Sequence, residues 1–515
     1  MHILNKPLRS YFLHRKKRVE QSRKYPIENQ LQWLVYLQNH GVNTSFGKEF
    51  GIQKNASYED FSTSIPLQDY NSLTPYIERI IAGEENVLWD TRVQWLSKSS
   101  GTTESKSKFI PVSRESLRYN NYLCAQDTLT CYCMLFPNNR LFSGKGLMLG
   151  GAFQEMPTGS KVQIGDVSAI LLDNMPRLGD ILKASTREVL LSNDWNKKLS
   201  AIANTSYNQN VTSISGVPSW MLLVLKEVLN ISGKSHIKEV WSDLELFMHG
   251  GVSFAPYIHE YKKLIPDDSV FYMNMYNASE GFFGFQDQKE CDDLLLLNDC
   301  AVFYEFIFMD EVGTLTGNPM PLSEVKTGQN YAVVITTAAG LWRYVIGDTV
   351  IFTSTAPYRF KITGRTMHFI NAFGEELIVD NADKALYKAC HETNAVISDY
   401  TAAPVFLGDK QEKACHEWMI EFTKEPSTIE LFINVLDKTL QTLNSDYETK
   451  RTGNLILQKP VIHSAPQGTF LRWLNHRNHL GGQHKVPRLQ NDRRIMEELL
   501  LLLNNLETEK RIRPV

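Results

Sequence analysis

The sequence predicts a layered α/β protein with a second, smaller α+β domain, on three observations. From Val93 onward, β-branched and aromatic runs alternate with helical stretches. Several of those runs are almost wholly apolar, as in Ala301-Val302-Phe303-Tyr304-Glu305-Phe306-Ile307-Phe308, which is the pattern of strands covered on both faces. The composition then changes near residue 365, and the remaining stretch is long enough for a domain of its own. At 515 residues the chain exceeds one ordinary domain, and 43% apolar with 22% charged residues is the balance of a globular protein.

Taken in order, the first 90 residues read mainly as helices broken by Pro26, Pro66 and Pro75. Strands are expected over Val93–Leu96, Val270–Tyr276, Ala301–Phe308, Tyr331–Thr337 and Val350–Phe352, and a buried helix over Ser219–Leu229. Residues 1–364 form the large domain and 365–515 the small one, the boundary falling where the strand-like Phe360–Thr363 ends in Gly364. The small domain carries amphipathic helices over Asp383–His391 and Thr428–Thr442, a strand near Glu417–Phe422 and a closing helix around Arg493–Leu506.

Charge and cysteine usage narrow the function. A net charge of −3 gives no bulk pull toward nucleic acid or membrane, and no apolar stretch approaches the roughly 20 residues a spanning helix needs. The basic cluster Arg9, His14, Arg15, Lys16, Lys17, Arg18, Arg23 and Lys24 reads as the solvated face of a first helix. No h-region follows Met1, and the seven cysteines form no C-x-x-C pair, so a reduced cytoplasmic protein with inert thiols is expected. The sequence is silent on oligomeric state, and a monomer is taken as the default.

Three segments carry chemistry. The first is Ser99-Ser100-Gly101-Thr102-Thr103-Glu104-Ser105-Lys106-Ser107-Lys108, between a strand and a helix starting at Ser113. Hydroxyls, a glycine and lysines in that place suit a phosphate cradle, although the second glycine of a Walker A loop is missing and an ordinary polar turn stays open. The second is Tyr276-Asn277-Ala278-Ser279-Glu280-Gly281, where an aromatic ring, a hydroxyl and a carboxylate able to bind Mg²⁺ lie close together; a capped strand end is the plainer alternative. The third is Gly340-Leu341-Trp342-Arg343-Tyr344-Val345-Ile346-Gly347-Asp348, whose aspartate between strands can accept both ribose hydroxyls, or which is a hairpin with Gly-Asp at its tip.

In order and spacing these segments resemble the adenylate-forming superfamily, which includes acyl-CoA synthetases and luciferase. Within it they resemble the Gretchen Hagen (auxin-responsive) family of acyl-acid amido synthetases. Further likeness lies in Gly216-Val217-Pro218-Ser219-Trp220, in Asn444-Ser445-Asp446-Tyr447 with Lys450 and Arg451, and in Gly482-Gln483-His484-Lys485-Val486-Pro487-Arg488, so it spans about residues 95–490. The wording around His249-Gly250-Gly251 leans toward a bacterial member. Two departures stand out: Ser105 occupies a position that is often glycine, and Val345 one that is often arginine in plant members.

The resemblance implies a large α/β domain of the adenylate-forming type joined to the small domain by a hinge. It also implies ATP and Mg²⁺ as the nucleotide and metal, with a small-molecule carboxylic acid and an amino acid as substrates. ATP would activate the acid as an acyl-adenylate, releasing pyrophosphate, before an amine takes the acyl group. By the same likeness Ser99, Ser100, Gly101, Thr102, Thr103 and Lys108 would hold phosphates, Glu280 the metal, Tyr276 and Gly251 the adenine side, Ser279 the α-phosphate and Asp348 the ribose. Arg365 would sit at the hinge and Lys485 would be the mobile catalytic lysine. Arg118, Tyr122 and the His249–Tyr257 region would supply the acyl pocket, whereas Trp220 and Phe282 read as core. A thiol acceptor, as in acyl-CoA ligases, is disfavoured because the C-terminal motif lacks their Ser-Gly-Lys ending. A binder without catalysis is disfavoured by retention of Lys108, Glu280 and Asp348.

Overall fold

A computed structural model of the chain describes all residues except 1, 101–106, 156–160, 253, 255, 256, 311–314, 366–368, 407–413, 455, 477–485 and 513–515. It divides into two compact units, one of residues 1–99, 108–254 and 261–366 and one of residues 100–107, 255–260 and 367–515.

The first unit opens with helices, and their prolines act differently from one another. Pro26 breaks the helical run between Lys16–Lys24 and Pro26–Gly41 and stands at the first turn of the second helix, where its missing N–H has no intrahelical partner to lose. Pro66 lies between the helices Tyr58–Ser64 and Tyr70–Ile81. Pro75 sits inside Tyr70–Ile81, which an Asp69/Ser72 capping box starts. The cost of an internal proline is about 3 kcal/mol. Burial of Tyr70, Leu73, Tyr76, Ile77 and Ile80 on one face outweighs it, at about 1.5–3 kcal/mol for each large side chain.

The basic N-terminal residues are only partly a solvated face. His14, Lys16, Lys17 and Lys24 are exposed, but the arginines turn inward. Arg15 and Arg18 pair with Asp127 at 2.7 and 3.2 Å, Arg18 also with Asp299 at 2.8 Å, and Arg23 with Asp287 at 2.7 Å. Arg15, at the N-cap of the helix Lys16–Lys24, and Arg18 and Arg23 within it thus dock this segment onto the carboxylates of Asp127, Asp299 and Asp287.

Strands β1 (Trp95–Ser100), β2 (Ser107–Val112), β3 (Lys145–Met148) and β4 (Gln163–Gly165) come next; β2, β1 and β4 form a small sheet, while β3 joins a larger one. The larger sheet continues with β5 (Val211–Gly216), β6 (Leu246–Gly250), β7 (Phe271–Ala278), β8 (Gly281–Gln286), β9 (Leu294–Leu296), β10 (Val302–Met309), β11 (Leu315–Pro321), β12 (Asn330–Thr337), β13 (Tyr344–Thr355) and β14 (Tyr358–Arg365). Its order is β11-β10-β12-β13-β14-β9-β8-β7-β6-β5-β3. From β3 to β7 neighbouring strands run parallel, with helices in the crossovers; from β7 onward the pairings are antiparallel. The crossover helix Pro218–Ser232 begins on Pro218 and ends on Gly233 in the left-handed region, so the expected buried helix is present and slightly longer. The apolar run of β10 is buried along Val302–Ile307, and its single carboxylate, Glu305, is 1% exposed because Arg343 pairs with it.

In the second unit, β15 (Phe369–Ile370) pairs with β16 (Leu377–Ile378), and β18 (Cys415–Lys424) lies between β17 (Val396–Val405) and β19 (Val461–Ala465). Its helices include Val379–Thr393, Ile429–Leu443, Ser445–Arg451, Thr469–His476 and Arg494–Ile512. The string Asn444-Ser445-Asp446-Tyr447 with Arg451 is a buried polar scaffold here. Asn444 caps the helix Ser445–Arg451 and donates to the carbonyls of Glu375 and Glu376 at 2.9 and 3.1 Å; Tyr447 and Arg451 both bond Asp437. Beside it Glu375 accepts from His416 at 2.8 Å, both side chains wholly buried. All seven cysteines are free thiols; Cys124, Cys131, Cys133, Cys300 and Cys415 are buried and Cys291 and Cys390 partly so.

Candidate active site

The carboxyl ends of the parallel strands form one edge of the large sheet. In register, Met148 faces Ser215, Gly216 faces His249, and Gly250 faces Met275. The edge is therefore Leu149–Gly151, Gly216–Pro218, Gly250–Gly251 and Ala278–Glu280. Ligands of open α/β sheets collect at such edges, especially where the topology switches. Here the switch is the turn between β7 and β8, and Ser279-Glu280 is that turn. The second motif thus ends β7 in a hairpin tip. Glu280 is half-buried and Gly251 exposed, with φ of +82°.

Two local devices hold this edge. Lys198, 2% exposed, donates to the carbonyls of Gly150 and Gly151 at 2.5 and 2.9 Å; burial pushes its ammonium down to about 8, opposed by Asp166. At β6, His249 is 4% exposed and stacked on Phe254 at 4.2 Å, and its Nδ1 meets no hydrogen-bonding partner among the described residues; burial drives it down to about 3, so it is neutral.

In the third motif Gly347-Asp348 is not the tip of a hairpin: the turn lies at Ala338–Gly340, where the motif begins, and Gly347-Asp348 lies within β13. Pairing with β12 steps from Ala332↔Thr349 to Val334↔Val345, so β13 carries extra residues there. Gly347, with φ of +93°, adopts the left-handed backbone of that bulge, where other residues are strained. A bulge re-aims the next side chain, and Asp348 turns to accept from the Tyr276 hydroxyl at 2.6 Å, both residues being buried. Motifs two and three are joined by this bond.

A second set of buried contacts ties the helix after motif one to the other two. Ser113 caps that helix, accepting from Ser116 N at 2.9 Å, and its hydroxyl donates to the Ala338 carbonyl at 2.5 Å, just before motif three. The helix continues through a π segment, Leu117–Tyr122, whose Asn120 is 2% exposed. Asn120 accepts from Phe282 N at 2.7 Å and donates to the carbonyls of Phe282 and Cys300 at 2.9 and 3.3 Å, which fixes the strand leaving the Glu280 turn. Within motif three itself, Arg343 (φ +46°) is 4% exposed. It bonds Glu305 through Nε and Nη2 and the Ser62 and Ile65 carbonyls through Nη1. Ser113 stands where the sequence reading starts a helix, and Arg343 lies within the third string, but the partners of both escaped that reading. Asn120 escaped it altogether, though it left a trace as a polar residue between Leu117 and Cys124 on a buried helical stripe.

The other candidates fall as follows. Ser99 and Ser100 end β1, and Lys108 lies in β2, its Nζ 6.0 Å from the Tyr70 ring; β1 and β2 are strands of one sheet, and both precede the helix. Gly101, Thr102 and Thr103 lie outside the described residues, as does Lys485. The backbone of Arg365 pairs with Asp348 across β13 and β14. Arg118 packs over Tyr119 at 5.1 Å, and Tyr122 donates to the Leu171 carbonyl at 2.9 Å, burial raising its phenol. Trp220 and Phe282 are buried, 6% and 7% exposed. Among the described residues no three His, Cys, Asp or Glu side chains gather as a metal cage, and no helix is long and apolar enough to cross a membrane. A single turn carboxylate such as Glu280 fits Mg²⁺ shared with substrate phosphates, the usual arrangement for that ion.

A sheet with three parallel and seven antiparallel pairings, and a turn at the switch between them, belongs to a fold that solved structures share. The chain matches the Arabidopsis GH3.15 acyl acid amido synthetase in complex with 2,4-DB over 95% of each chain, with a TM-score of 0.61 and 17% identity. It matches 2-hydroxyisobutyryl-CoA ligase, in complex with 2-HIB-AMP and CoA, over 94% of this chain and 93% of that one, with a TM-score of 0.56 and 14% identity. At such identities these likenesses concern the fold. A jasmonoyl–L-amino acid synthetase, GH3.5 of Oryza sativa subsp. japonica, is 26% identical over 87% of this chain and 90% of its own. The GH3 family N-terminal domain matches residues 15–202 and 189–270, its central domain residues 295–365 and its C-terminal domain residues 380–494. The chain belongs to the GH3 family.

Proposed function

We propose that the protein is an AMP-forming acyl-acid amido synthetase: ATP converts a small carboxylic acid to its acyl-adenylate with loss of pyrophosphate, and an amine, an amino acid by class, displaces AMP to form an amide. The observation that carries this reading is the Tyr276–Asp348 bond, which unites the second and third motifs at the carboxyl edge of the sheet in a chain matched along its length by one family.

In this reading the carboxylate oxygen attacks the α-phosphorus, so negative charge gathers on phosphate oxygens and must be met by fixed donors and cations. Ser99, Ser100, Gly101, Thr102, Thr103 and Lys108 bind the phosphates, and Ser279 lies toward the α-phosphate. Gly251 and Tyr276 border the adenine, Asp348 accepts the ribose hydroxyls, and Arg365 flanks it. Glu280 would hold Mg²⁺, which neutralises phosphate charge when bound. Lys485 is the candidate for the lysine that bridges the reacting carboxylate and the α-phosphate. The protein works as a monomer in the cytoplasm.

The test is release of pyrophosphate on mixing the protein with ATP, Mg²⁺ and panels of aryl and aliphatic acids, with mass spectrometry of the products after adding the amino acids. Glu280→Ala should lower acid-dependent release by at least about a hundredfold at an unchanged melting temperature. Near-normal turnover in that variant removes Glu280 from the metal role, and consumption of CoA in place of an amino acid replaces the amine acceptor by a thiol.

A further inference from the structure

Strands β7 and β13 are not neighbours: β8, β9 and β14 stand between them in the sheet. Their side chains nevertheless touch, so the sheet coils until its concave face closes on itself. The sequence cause is local. Tyr276 pairs across the hairpin with Gly284, and a Cβ at Gly284 would come within 2.9 Å of Phe360 Cζ and 3.0 Å of the Leu295 carbonyl. Only the bare backbone leaves Phe360 room to fold over β8 beside Tyr276. The Tyr276 ring is then held by Phe283 at 5.1 Å and Phe360 at 6.0 Å, and its hydroxyl reaches Asp348 Oδ2 at 2.6 Å.

We propose that the Tyr276 hydroxyl is a positioning group for Asp348, setting the plane of the carboxylate so that the site discriminates ribose from deoxyribose. This rests on the reading that Asp348 accepts the ribose hydroxyls. An aspartate carboxylate rotates in a broad, shallow well about its last torsion. Accepting two vicinal hydroxyls needs one orientation, and a charge-assisted bond from a ring that cannot turn supplies it. The bulge at Gly347 brings Asp348 into reach; Tyr276 fixes how it faces. Loss of the hydroxyl therefore weakens the contacts to the 2′ and 3′ oxygens and leaves the rest of the nucleotide's contacts alone, whereas loss of the ring would weaken binding of every adenine nucleotide.

The experiment is calorimetric binding of ATP, 2′-deoxyATP, 3′-deoxyATP and 2′,3′-dideoxyATP, in Mg²⁺, to the full chain and to Tyr276→Phe, Tyr276→Leu and Asp348→Asn. No acid is needed. The wild-type protein should prefer ATP over each deoxynucleotide by about tenfold or more, the scale of hydrogen bonds to a charged group. Tyr276→Phe should shrink that ratio at least about threefold while binding 2′,3′-dideoxyATP, which offers Asp348 neither hydroxyl, within about twofold of wild type, and Asp348→Asn should abolish the ratio. Tyr276→Leu should weaken all four nucleotides together. If Tyr276→Phe keeps the full ratio while Asp348→Asn loses it, the positioning role is overturned and the ribose role of Asp348 stands. An equal weakening of all four by Tyr276→Phe also overturns it. A ratio unchanged in Asp348→Asn overturns the ribose role itself. Should Tyr276→Phe fail to fold, 3-fluorotyrosine at 276, a stronger donor of nearly the same shape, decides: a raised ratio supports the proposal and an unmoved one overturns it.

Discussion

Arg343→Met tests whether motif three is held by a buried ion pair. Arg343 and Glu305 side chains are 5% and 1% exposed, with Nη2 2.7 Å and Nε 2.9 Å from the carboxylate. Methionine keeps much of the volume and, like arginine, must accept the left-handed backbone at φ +46°, so strain cancels in the comparison. What changes is Glu305, left with the Tyr58 hydroxyl at 3.0 Å, and the Ser62 and Ile65 carbonyls, which lose Nη1 at 2.5 and 2.6 Å. Removing one partner of a buried pair costs about 3–5 kcal/mol. At about 2 °C per kcal/mol for a large unit, the melting temperature should fall by about 6–10 °C. The double variant Arg343→Met/Glu305→Leu removes both charges and should regain more than half of that loss. Differential scanning calorimetry of the three proteins is the assay. A single variant melting within about 2 °C of wild type, or a double variant less stable than the single, refutes the reasoning.

Other outcomes follow from the same geometry. Asn120→Leu strands the Phe282 N–H and two carbonyls and should cost about 2–4 kcal/mol, read as a shifted urea midpoint; a neutral substitution would show that Asn120 does not hold the hairpin. His249, held at about 3, stays neutral when folded but protonates below about 6.5 when unfolded. The unfolded chain then binds the extra proton, so stability declines as pH falls from about 6.5 toward 3, by about 2 kcal/mol at pH 5. His249→Phe should flatten that slope in melting curves at pH 5 and 7.5, and an identical slope would exonerate the histidine. Of seven thiols, the two half-buried ones, Cys291 and Cys390, should react quickly with a disulfide reagent under native conditions and the five buried ones only on unfolding; fast reaction of five or more contradicts the packing.

Much of the fold was legible because its strands and helices are buried in the way their patterns imply. The runs at β7, β10 and β12 and the helix Pro218–Ser232 lie within two residues of expectation at most ends. The errors share a cause, which is that a pattern does not say what a residue will meet. Pro75 lies in a helix because a five-residue apolar face holds it there, and the N-terminal arginines are docked because Asp127, Asp287 and Asp299 wait for them hundreds of residues away in some cases. The site was legible as three strings, through local wording, but not the hardware between them. Gly347-Asp348 looks like a turn by composition; only the pairing on both sides reveals a bulge. Nothing in the string Tyr276–Glu280 predicts a bond to Asp348, because that contact depends on sheet coiling and on the space above Gly284.

The docking of the first two helices has a practical consequence for anyone trimming the protein. Asp287, its side chain 1% exposed, is shared by Arg23 and Arg359, and Asp127 is shared by Arg15 and Arg18. Deleting the leading two dozen residues would strip Asp127 of both these cations and halve the neutralisation of Asp287, leaving anions sealed in an oily interior also deprived of Phe12 and Val19. A shortened clone would be expected to precipitate rather than merely lose a tail.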